Sequence, residues 1–420
     1  MKSQFVGFGL GDGSLNMLGD LVASQEFSPC LTWSIVPARL VAQSFVQCHG
    51  KRASMACRGT GCHLSTDSSS RIMTAAAKKH SPIRLQDVAS EAGVSVSTAS
   101  RVLSGKGAAY RISKSTQTTV QSAAERLGFR PSHVARSLRL QKTNTIGVIV
   151  PDMANPFFAA IAREVTIAAE ASGRVVLVAD SRDSTEHESC CVQQLLARQV
   201  DGLLICPVGT SDAHLNEIIG TSLPVVMVDR VFRDTGFVSV TSDHRQGAVE
   251  AVELLLTHGH QSIGVLQGLP GTLPNEERID GYRQALHRNG IGYDSSLVRG
   301  ENFSAASGYT ACKSLLAERP EVTALFAFSN QHAFGALKAL QESGRRIPDD
   351  VSLVTFDDHP LFDYLAVPLT AASQDAQALG RTAAQLLIGP IETGRSPREK
   401  RHRVPMRLIE RSSVGSPNGS

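Results

Sequence analysis

The sequence lacks several features that would assign it to a broad class of protein. It has no uninterrupted apolar run near the ~20 residues of a membrane-spanning helix. It also has no basic N-terminal region that leads through an apolar stretch to a small-residue cleavage site. Charged residues make up only 19% of the 420 residues, against 42% hydrophobic residues, which excludes a mainly disordered chain. We therefore expect two or three globular domains in the cytoplasm, with no membrane partner.

A disulfide framework and catalytic motifs are missing as well. The eight cysteines do not have the spacing of a disulfide-rich domain. Cys57 and Cys62 with His63 come closest to a metal cluster, but no second cysteine pair stands beside them. GxSxG, P-loop and HExxH motifs do not occur with the flanking residues they need. We expect reduced thiols, no metal, no cofactor and no enzymatic activity.

Positive charge is concentrated in one segment. The whole chain has 42 Lys and Arg against 39 Asp and Glu, yet residues 78–142 hold twelve of the basic residues and only three of the acidic ones. The rest of the chain is therefore net negative. A basic segment of this density is typical of a surface that meets the phosphates of nucleic acid.

Residues 1–72 contain the only tryptophan, Trp33, and show no sustained helical or strand period. We assign no fold to them. Met73 opens a Lys-rich lead of the kind that starts many small DNA-binding domains. We expect translation to begin at Met73, and an additional N-terminal module is the alternative.

Two short helices joined by a tight turn are predicted within residues 83–105. Leu85, Val88 and Ala89 form one apolar stripe, and Ala99 and Val102 belong to a second. Gly93 lies between the stripes, where a turn between helices needs a positive φ, and Ser95 occupies the N-cap position of the second helix. This spacing is typical of a helix-turn-helix. A third helix is predicted that is capped by Ser113 and runs to Leu127, with Gly128 ending it.

The outward face of the second helix carries side chains that can contact DNA. Arg101 can pair with guanine in bidentate fashion, Ser97 can bond base edges and Val96 can contact a thymine methyl group. We assign these three to base reading. We assign Ser95, Thr98 and Ser100 to phosphate contacts. The alternative is an ordinary solvent-exposed helix pair.

A short amphipathic segment follows the third helix. Ala135 and Leu138 lie on one apolar stripe only two turns long, with Arg136 and Arg139 beside it. So short a helix is marginal in water and needs a surface on which to fold. We predict that it binds the minor groove, where Ala135 allows close approach, Leu138 wedges between base steps and Arg139 follows the phosphates. A plain linker is the alternative.

Residues 144–413 alternate between short apolar runs and amphipathic helical patterns. This alternation predicts parallel sheets covered on both faces, and about eight units favour two doubly wound subdomains with a cleft between them. A closed eight-fold barrel is the alternative. Two turn-rich segments, 232–236 and 367–374, are the expected crossovers between subdomains. The predicted strands are 146–150, 175–179, 202–206, 225–228, 237–240, 263–266, 324–328 and 353–356.

These residues resemble the lactose/galactose repressor family of bacterial transcription factors from about residue 83 to 413. The motifs of the head and hinge are Asp87-Val-Ala, Ala92-Gly-Val-Ser, Ser100-Arg-Val-Leu, Arg130-Pro-Ser and Val134-Ala-Arg-Ser-Leu138. The motifs of the core are Ile146-Gly-Val, Asn155-Pro-Phe-Phe, Val200-Asp-Gly-Leu, Pro224-Val-Val-Met-Val-Asp-Arg230, His258-Gly-His, Arg278-Ile-Asp-Gly-Tyr282, Ile347-Pro-Asp-Asp-Val-Ser352, Phe356-Asp-Asp358 and Arg407-Leu-Ile-Glu-Arg411.

The resemblance implies an all-α helix-turn-helix head and an α/β core of two doubly wound parallel-sheet subdomains, similar to a periplasmic binding protein. It implies a repressor of a sugar-utilisation operon that binds an inverted-repeat operator in double-stranded DNA as a homodimer. An exported-type sugar-binding protein or another small-molecule sensor is the alternative. The expected domains are an unassigned extension (1–72), the head (80–131), the hinge (132–143), the effector-binding core (144–413) and a disordered tail (414–420).

The resemblance also implies an effector site, whose ligand we expect to be a sugar or sugar derivative. Phe157, Phe158 and Phe303 would wall the ligand, and Arg278 and Asp357 would hold its polar edge. The alternatives are phenylalanines that belong to the core and an Arg278–Asp357 ion pair. Asn330 is also expected in the site. It belongs to a Ser329-Asn330 pair, at the position where family members often carry Asn-Asp. Pro274 and Asn275 are a second departure, at positions where small polar residues are common. The tail has no heptads, so a dimer is expected rather than a tetramer.

Overall fold

The computed structural model of the chain describes residues 83–129, 142–233 and 235–417. Its first part, residues 83–129, is a three-helix domain that we call the head. The helices are α1 (Leu85–Glu91), α2 (Val96–Leu103) and α3 (Lys114–Leu127).

The head is built as the sequence predicts. Val88, Ala99 and Val120 are fully buried where the three helices meet. Gly93 has a φ of +65° in the turn between α1 and α2. The hydroxyls of Ser95 and Ser113 cap α2 and α3, and each accepts a backbone N–H from the residue three positions on at 3.1 Å. The predicted helix-turn-helix and both caps are confirmed.

The remaining described residues form two lobes, of which the N lobe comes first. Its strands are β1 (Thr145–Val150), β2 (Val175–Asp180), β3 (Gly202–Ile205), β4 (Val225–Val228), β5 (Val238–Ser242) and β11 (Arg401–Val404), and its helices are α4 (Pro156–Ala171), α5 (Thr185–Ala197) and α10 (Ala376–Thr393). The sheet order is β11-β5-β4-β3-β1-β2, with parallel neighbours throughout. Apolar clusters cover both faces, one under α4 and α10 and the other under α5.

The C lobe repeats this arrangement. Its strands are β6 (Ile263–Leu266), β7 (Val298–Arg299), β8 (Ala324–Ala327), β9 (Ser352–Phe356), β10 (Thr370–Gln374) and β12 (Met406–Ile409), and its helices are α6 (His244–Thr257), α7 (Leu273–Arg288), α8 (Ala305–Glu318) and α9 (Asn330–Glu342). The order is β12-β10-β9-β8-β6-β7, and only β12 runs antiparallel to its neighbour, β10. Two open six-stranded sheets confirm the two-lobed prediction and exclude a closed barrel.

The chain passes between the lobes three times, at Asp243, Asp375 and Pro405. The expectation of a crossover at 232–236 was wrong, because those residues join β4 to β5 within one sheet. The segment 367–374 contains β10 itself, and the crossing follows directly after it. The turn-rich composition identified where the chain leaves a strand. It did not show whether the chain then stays in the same sheet or crosses to the other one, because both kinds of connection have the same composition.

The end of the chain is ordered further than expected. The prediction of a disordered tail from residue 414 was wrong for residues 414–417, which pack on the C lobe. The Gly415 carbonyl lies 2.8 Å from Nε2 of His260, and the Gly415 N–H donates to the Ser352 hydroxyl at 3.0 Å. None of the helices in residues 83–129, 142–233 and 235–417 combines the length and apolar character that crossing a bilayer requires.

Candidate functional site

A cavity of about 210 Å³ lies between the two lobes. Its polar walls come from segments that follow the carboxyl ends of β1, β4, β8 and β9, the position where parallel α/β sheets usually bind ligands. Five of the six residues predicted for the effector site line it: Phe157, Phe158, Arg278, Phe303 and Asp357. Their assignment to an effector stays a prediction.

Three phenylalanines form the apolar walls. Phe157 and Phe158 lie in the first turn of α4 with their rings 5.1 Å apart in an edge-to-face arrangement. The side chain of Asn155 positions this turn by accepting the Phe157 N–H at 3.1 Å. Phe158 packs in the N-lobe core and also lines the cavity. Both the predicted position in the cavity wall and the alternative position in the core therefore apply to it.

Phe303 approaches from the C lobe and depends on a glycine. A Cβ placed on Gly268 would lie 2.1 Å from the Phe303 ring, so only glycine leaves room for it. On another side the ring stacks on His332, with centroids 6.0 Å apart. Burial lowers the pKa of His332 to about 4, so this imidazole is neutral at physiological pH.

Arg278 is only 3% exposed, and its guanidinium is held without a carboxylate. It lies over the Phe356 ring with its Cζ 3.7 Å from the ring centroid. Nη1 donates to the Phe328 carbonyl, and Nη2 lies 3.4 Å from Nδ1 of His244. Within the described residues, no acidic oxygen comes within 4.0 Å of it, which argues against a simple ion pair with Asp357. Burial lowers the pKa of Arg278, and its Nε has no hydrogen-bond partner.

Two carboxylates, of which Asp229 is buried and Asp357 half-buried, complete the polar surface. Gln374 Nε2 donates to Oδ1 of Asp357 at 2.6 Å, and burial raises the pKa of Asp357. Asp229 is 5% exposed, and its Oδ1 has no hydrogen-bond partner. Burial, with a smaller contribution from the charge of Asp357, raises the pKa of Asp229 to about 6. Both residues have positive φ, which turns the chain sharply where each strand ends.

These unpaired atoms define what the cavity can bind. Buried polar groups in proteins are nearly always hydrogen-bonded, and an orphaned one costs about 1–3 kcal/mol. Asp229 Oδ1 and Gln374 Oε1 are acceptors without donors, and Arg278 Nε is a donor without an acceptor. Asp229 and Arg278 line the cavity and Gln374 does not, so a ligand rich in hydroxyl groups can satisfy the unpaired atoms of Asp229 and Arg278.

Sequence reasoning missed Asp229 and Arg230, which line the cavity, and Gln374, which holds Asp357 from outside its wall. Arg230 Nη1 donates to Asp183 Oδ1 at 2.5 Å, and its Cζ lies 5.0 Å from the centroid of the Phe303 ring. Asp229 and Arg230 directly follow the apolar run that became β4, and this position at a strand's carboxyl end was the available signal. Gln374 ends β10, whose small residues gave no apolar run.

Asn330 is buried beside the cavity and is not part of its wall. Its amide pairs with that of Asn155, with N···O distances of 3.3 and 3.5 Å. Of the two other departures from the family pattern, Pro274 lines the cavity. Asn275 is buried and accepts the Gly268 N–H at 2.8 Å, which fixes the segment under Phe303.

The head presents a second candidate site, on the outer face of α2. Val96, Ser97 and Arg101 are exposed there, and Ser100 is half-buried. The Ser95 hydroxyl lies 2.8 Å from the hydroxyls of both Ser97 and Thr98. The predicted hinge contacts Ala135, Leu138 and Arg139 fall outside the described residues.

Comparison with known families matches both parts of the chain. Residues 84–132 match the model described as "Bacterial regulatory proteins, lacI family". Residues 252–414 match the model described as "Periplasmic binding protein-like domain".

Individual proteins align over most of the chain. It is 34% identical over 331 residues to the ribose operon repressor of Halalkalibacterium halodurans, which covers 79% of this chain and 96% of that protein. The structure of the Lac repressor dimer bound to operator and the anti-inducer ONPF is 30% identical, with a TM-score of 0.70, and covers 80% of this chain and all of that one. A regulator from Enterococcus faecium with bound ribose is 29% identical, with a TM-score of 0.57, and covers 64% of this chain and 98% of that one.

Proposed function

Because the chain belongs to the lacI family of bacterial regulatory proteins, we propose that it is a repressor whose affinity for an inverted-repeat operator is set by a monosaccharide bound between its lobes. The matched relatives are DNA-binding transcription regulators and not enzymes. The proposal assigns the operator contacts to the head and the hinge, and the effector contacts to the cavity between the lobes.

The cavity is the observation that carries the effector proposal. Phenylalanine faces cover the apolar side of a sugar ring, while the unpaired atoms of Asp229 and Arg278 meet its hydroxyl groups. A volume of about 210 Å³ lies below the ~300–1,000 Å³ typical of drug-sized ligands. This favours a single sugar ring over a disaccharide. Ribose is the first candidate, because two of the similar proteins are a ribose operon repressor and a regulator with bound ribose.

The charges of the cavity favour an uncharged sugar over a phosphorylated one. Four carboxylates line it, those of Asp152, Asp183, Asp229 and Asp357, against two guanidinium groups. Both guanidiniums already have partners, since Arg230 pairs with Asp183 and Arg278 donates to a carbonyl. A phosphate would therefore face an excess of negative charge, of which the Asp229 carboxylate is buried.

Exposed apolar side chains support a dimer. Tyr364 is 84% exposed and Leu361 lies near it in the C-lobe sequence, also exposed. In the N lobe, Val175 and Val178 are exposed on the edge strand β2. Exposed edge strands and apolar surface on a folded protein are typical of interfaces. A second copy of the chain would cover them and bring two heads to the two halves of an inverted repeat.

Coupling between effector and operator requires that the effector favour one arrangement of the lobes. Several contacts join the lobes in the described arrangement. Arg403 Nη2 lies 2.7 Å from Glu277 Oε1, and Arg233 pairs with Glu276. A sugar that contacts Phe157 of one lobe and Phe303 of the other would add to these contacts and shift the population of lobe arrangements.

The test begins with in vitro selection of DNA sequences by the full chain. The selected duplex is then titrated in a mobility-shift assay with ribose, glucose, cellobiose and ribose 5-phosphate, and each sugar is also titrated by calorimetry. We expect an inverted repeat to be selected, and ribose to bind and change the affinity for it. An Asp357→Asn variant should keep operator binding and lose the sugar response. Selection of no preferred sequence would overturn the operator proposal, and ribose 5-phosphate acting alone would overturn the uncharged sugar.

A further inference from the structure

An aromatic ring lies directly beside the predicted base-reading arginine. The guanidinium carbon of Arg101 lies 4.2 Å from the centroid of the Tyr110 ring, which is the geometry of a cation–π contact. Tyr110 belongs to the connection between α2 and α3 and is 52% exposed. It is therefore not a member of the head's apolar core.

The connection holds Tyr110 in place through its backbone. The Lys106 N–H donates to the Arg101 carbonyl at 2.9 Å, and the Tyr110 N–H donates to the Lys106 carbonyl at 3.1 Å. This chain of hydrogen bonds begins on α2 itself, so the ring position follows the helix.

A glycine and a glutamine anchor the far side of the connection. The Ile112 N–H donates to the Gly107 carbonyl at 2.9 Å, and Gln117 Nε2 of α3 donates to the Ile112 carbonyl at 2.7 Å. A Cβ on Gly107 would lie 2.6 Å from the Gln117 side chain, so glycine permits the close approach. The connection is thus a structured turn that is fixed to both helices.

Nothing else in the described part of the chain fixes the Arg101 guanidinium. The ion pairs of the described residues do not include it, and the head's one ion pair joins Arg126 to Glu91. Long arginine side chains lose substantial rotamer entropy when they are fixed by binding. A side chain that is already held before binding loses less, which increases its contribution to recognition.

We propose that Tyr110 is a positioning residue for base reading, whose ring holds the Arg101 guanidinium in the orientation that meets a base edge. The inference rests on the proposed operator binding by α2. It adds a residue outside α2 to the determinants of sequence preference.

The test uses the duplex selected by the full wild-type chain and the same duplex substituted at each base pair in turn. Dissociation constants are measured for the wild type, Tyr110→Ala, Tyr110→Phe, Arg101→Ala and the double variant Tyr110→Ala with Arg101→Ala. We expect Tyr110→Ala to reduce the preference at the base pair that depends on Arg101 by about two- to fivefold, the strength of an exposed cation–π contact. Tyr110→Phe should retain it, because the ring face remains. In the Arg101→Ala background, Tyr110→Ala should change nothing further.

A second measurement tests the contact in the free protein. The ring current of Tyr110 should shift the Arg101 Nε–Hε resonance, and the shift should disappear in Tyr110→Ala and persist in Tyr110→Phe. Should Tyr110→Ala lower the thermal stability of the chain, Tyr110→Leu replaces it, since leucine keeps the apolar contact and removes the aromatic face.

The outcomes separate this inference from the function on which it rests. If the wild type selects no sequence, operator binding fails and the role of Tyr110 fails with it. If a sequence is selected, three results overturn the role of Tyr110 alone. These are an unchanged preference in Tyr110→Ala, an equal loss with and without Arg101, and a Tyr110→Phe variant that behaves like Tyr110→Ala. The last would indicate a direct contact of the tyrosine hydroxyl with DNA.

Discussion

Asn155 and Asn330 exchange amide hydrogen bonds across the two lobes. Nδ2 of Asn330 donates to Oδ1 of Asn155 at 3.3 Å, and the return bond measures 3.5 Å. Asn155 caps the first helix of the N lobe and Asn330 begins a helix of the C lobe. Because both side chains are buried, the pair is satisfied only when the lobes keep this arrangement.

Asn330→Ala should therefore destabilise this arrangement of the lobes. It leaves the buried amide of Asn155 without its partner, which costs about 1–3 kcal/mol. We expect a lower free energy of unfolding in urea and a larger radius of gyration in small-angle X-ray scattering. Gln341→Ala, an exposed position on the same helix, is the control. A variant with wild-type values in both measurements would contradict a role for the pair.

Asp229 should make stability depend on pH. Its pKa is raised from 3.8 to about 6 in the folded protein, so the folded state binds the proton more tightly than the unfolded state does. The resulting stability is fully present below pH 3.8 and is lost as the pH rises through about 6. Asp229→Asn should remove this loss and stabilise the chain by on the order of 2–3 kcal/mol at neutral pH. Urea unfolding of both proteins from pH 4 to 7.5 checks this, and a difference that does not grow with pH would refute it.

Gly268→Ala should impair sugar binding through Phe303. The new methyl group would lie 2.1 Å from the ring, so the ring must leave its place in the cavity wall. We expect the affinity for ribose in calorimetry to fall at least about tenfold, the loss of about 1.4 kcal/mol of contact with one wall. Gly292→Ala is the control, since a Cβ there meets nothing within 4 Å. Equal affinities of the two variants would show that Phe303 does not contact the ligand.

Two arginines should affect DNA binding in different ways. Arg101→Ala should relax the preference at one operator position by about 1–3 kcal/mol, because it removes a contact to a base. Arg139→Ala should weaken binding to all sequences alike and flatten the dependence of log Kd on log salt, because it removes a phosphate contact. Dissociation constants at several salt concentrations, on matched and substituted duplexes, distinguish them. An unchanged sequence preference in Arg101→Ala would refute our reading of the outer face of α2.

Tyr364→Asp should disrupt the dimer. Burying a carboxylate in an apolar interface without a partner costs several kcal/mol, and Tyr364 is the most exposed of the large apolar or aromatic side chains among the described residues. Light scattering after gel filtration should give the mass of one chain, and operator affinity should fall. Ile219→Asp, an exposed apolar position away from the C lobe, should keep the dimer. A wild-type protein that is already monomeric would exclude the dimer.

The head was predictable because its contacts are local. Gly93, Ser95, Ser113 and Gly128 all have the roles that their neighbours in the chain required. The contact between Arg101 and Tyr110 was not predicted, although the two residues are only nine positions apart. The path of the connection between α2 and α3 is set by hydrogen bonds such as that from the Gln117 side chain to the Ile112 carbonyl. The residue composition of the connection does not reveal these bonds.

The core was predictable where strands are buried on both faces. All eight predicted strands are present, since a continuous apolar run signals such a strand, although β2 lies at a sheet edge and is partly exposed. None of β7, β11 and β12 contains a continuous apolar run, since β7 has two residues, β11 is mostly basic and Arg407 interrupts β12. The strand β10 was missed because it is built from small residues. Helix α10 contains Gly380 and Pro390. Gly380 allows close contact with α4, where a Cβ would lie 2.8 Å from the Ile161 carbonyl oxygen.

Residue patterns along the chain are enough to predict the helix-turn-helix head, the α/β class of the core and five of the side chains that line its cavity. These follow from periodicity and capping over a few residues, or from motifs that a family shares. The folding of the chain was needed to place Asp229 in the same cavity as Asp357, and to bring Asn155 to Asn330. Such residues lie more than a hundred positions apart, and only the three crossings between the lobes bring them together.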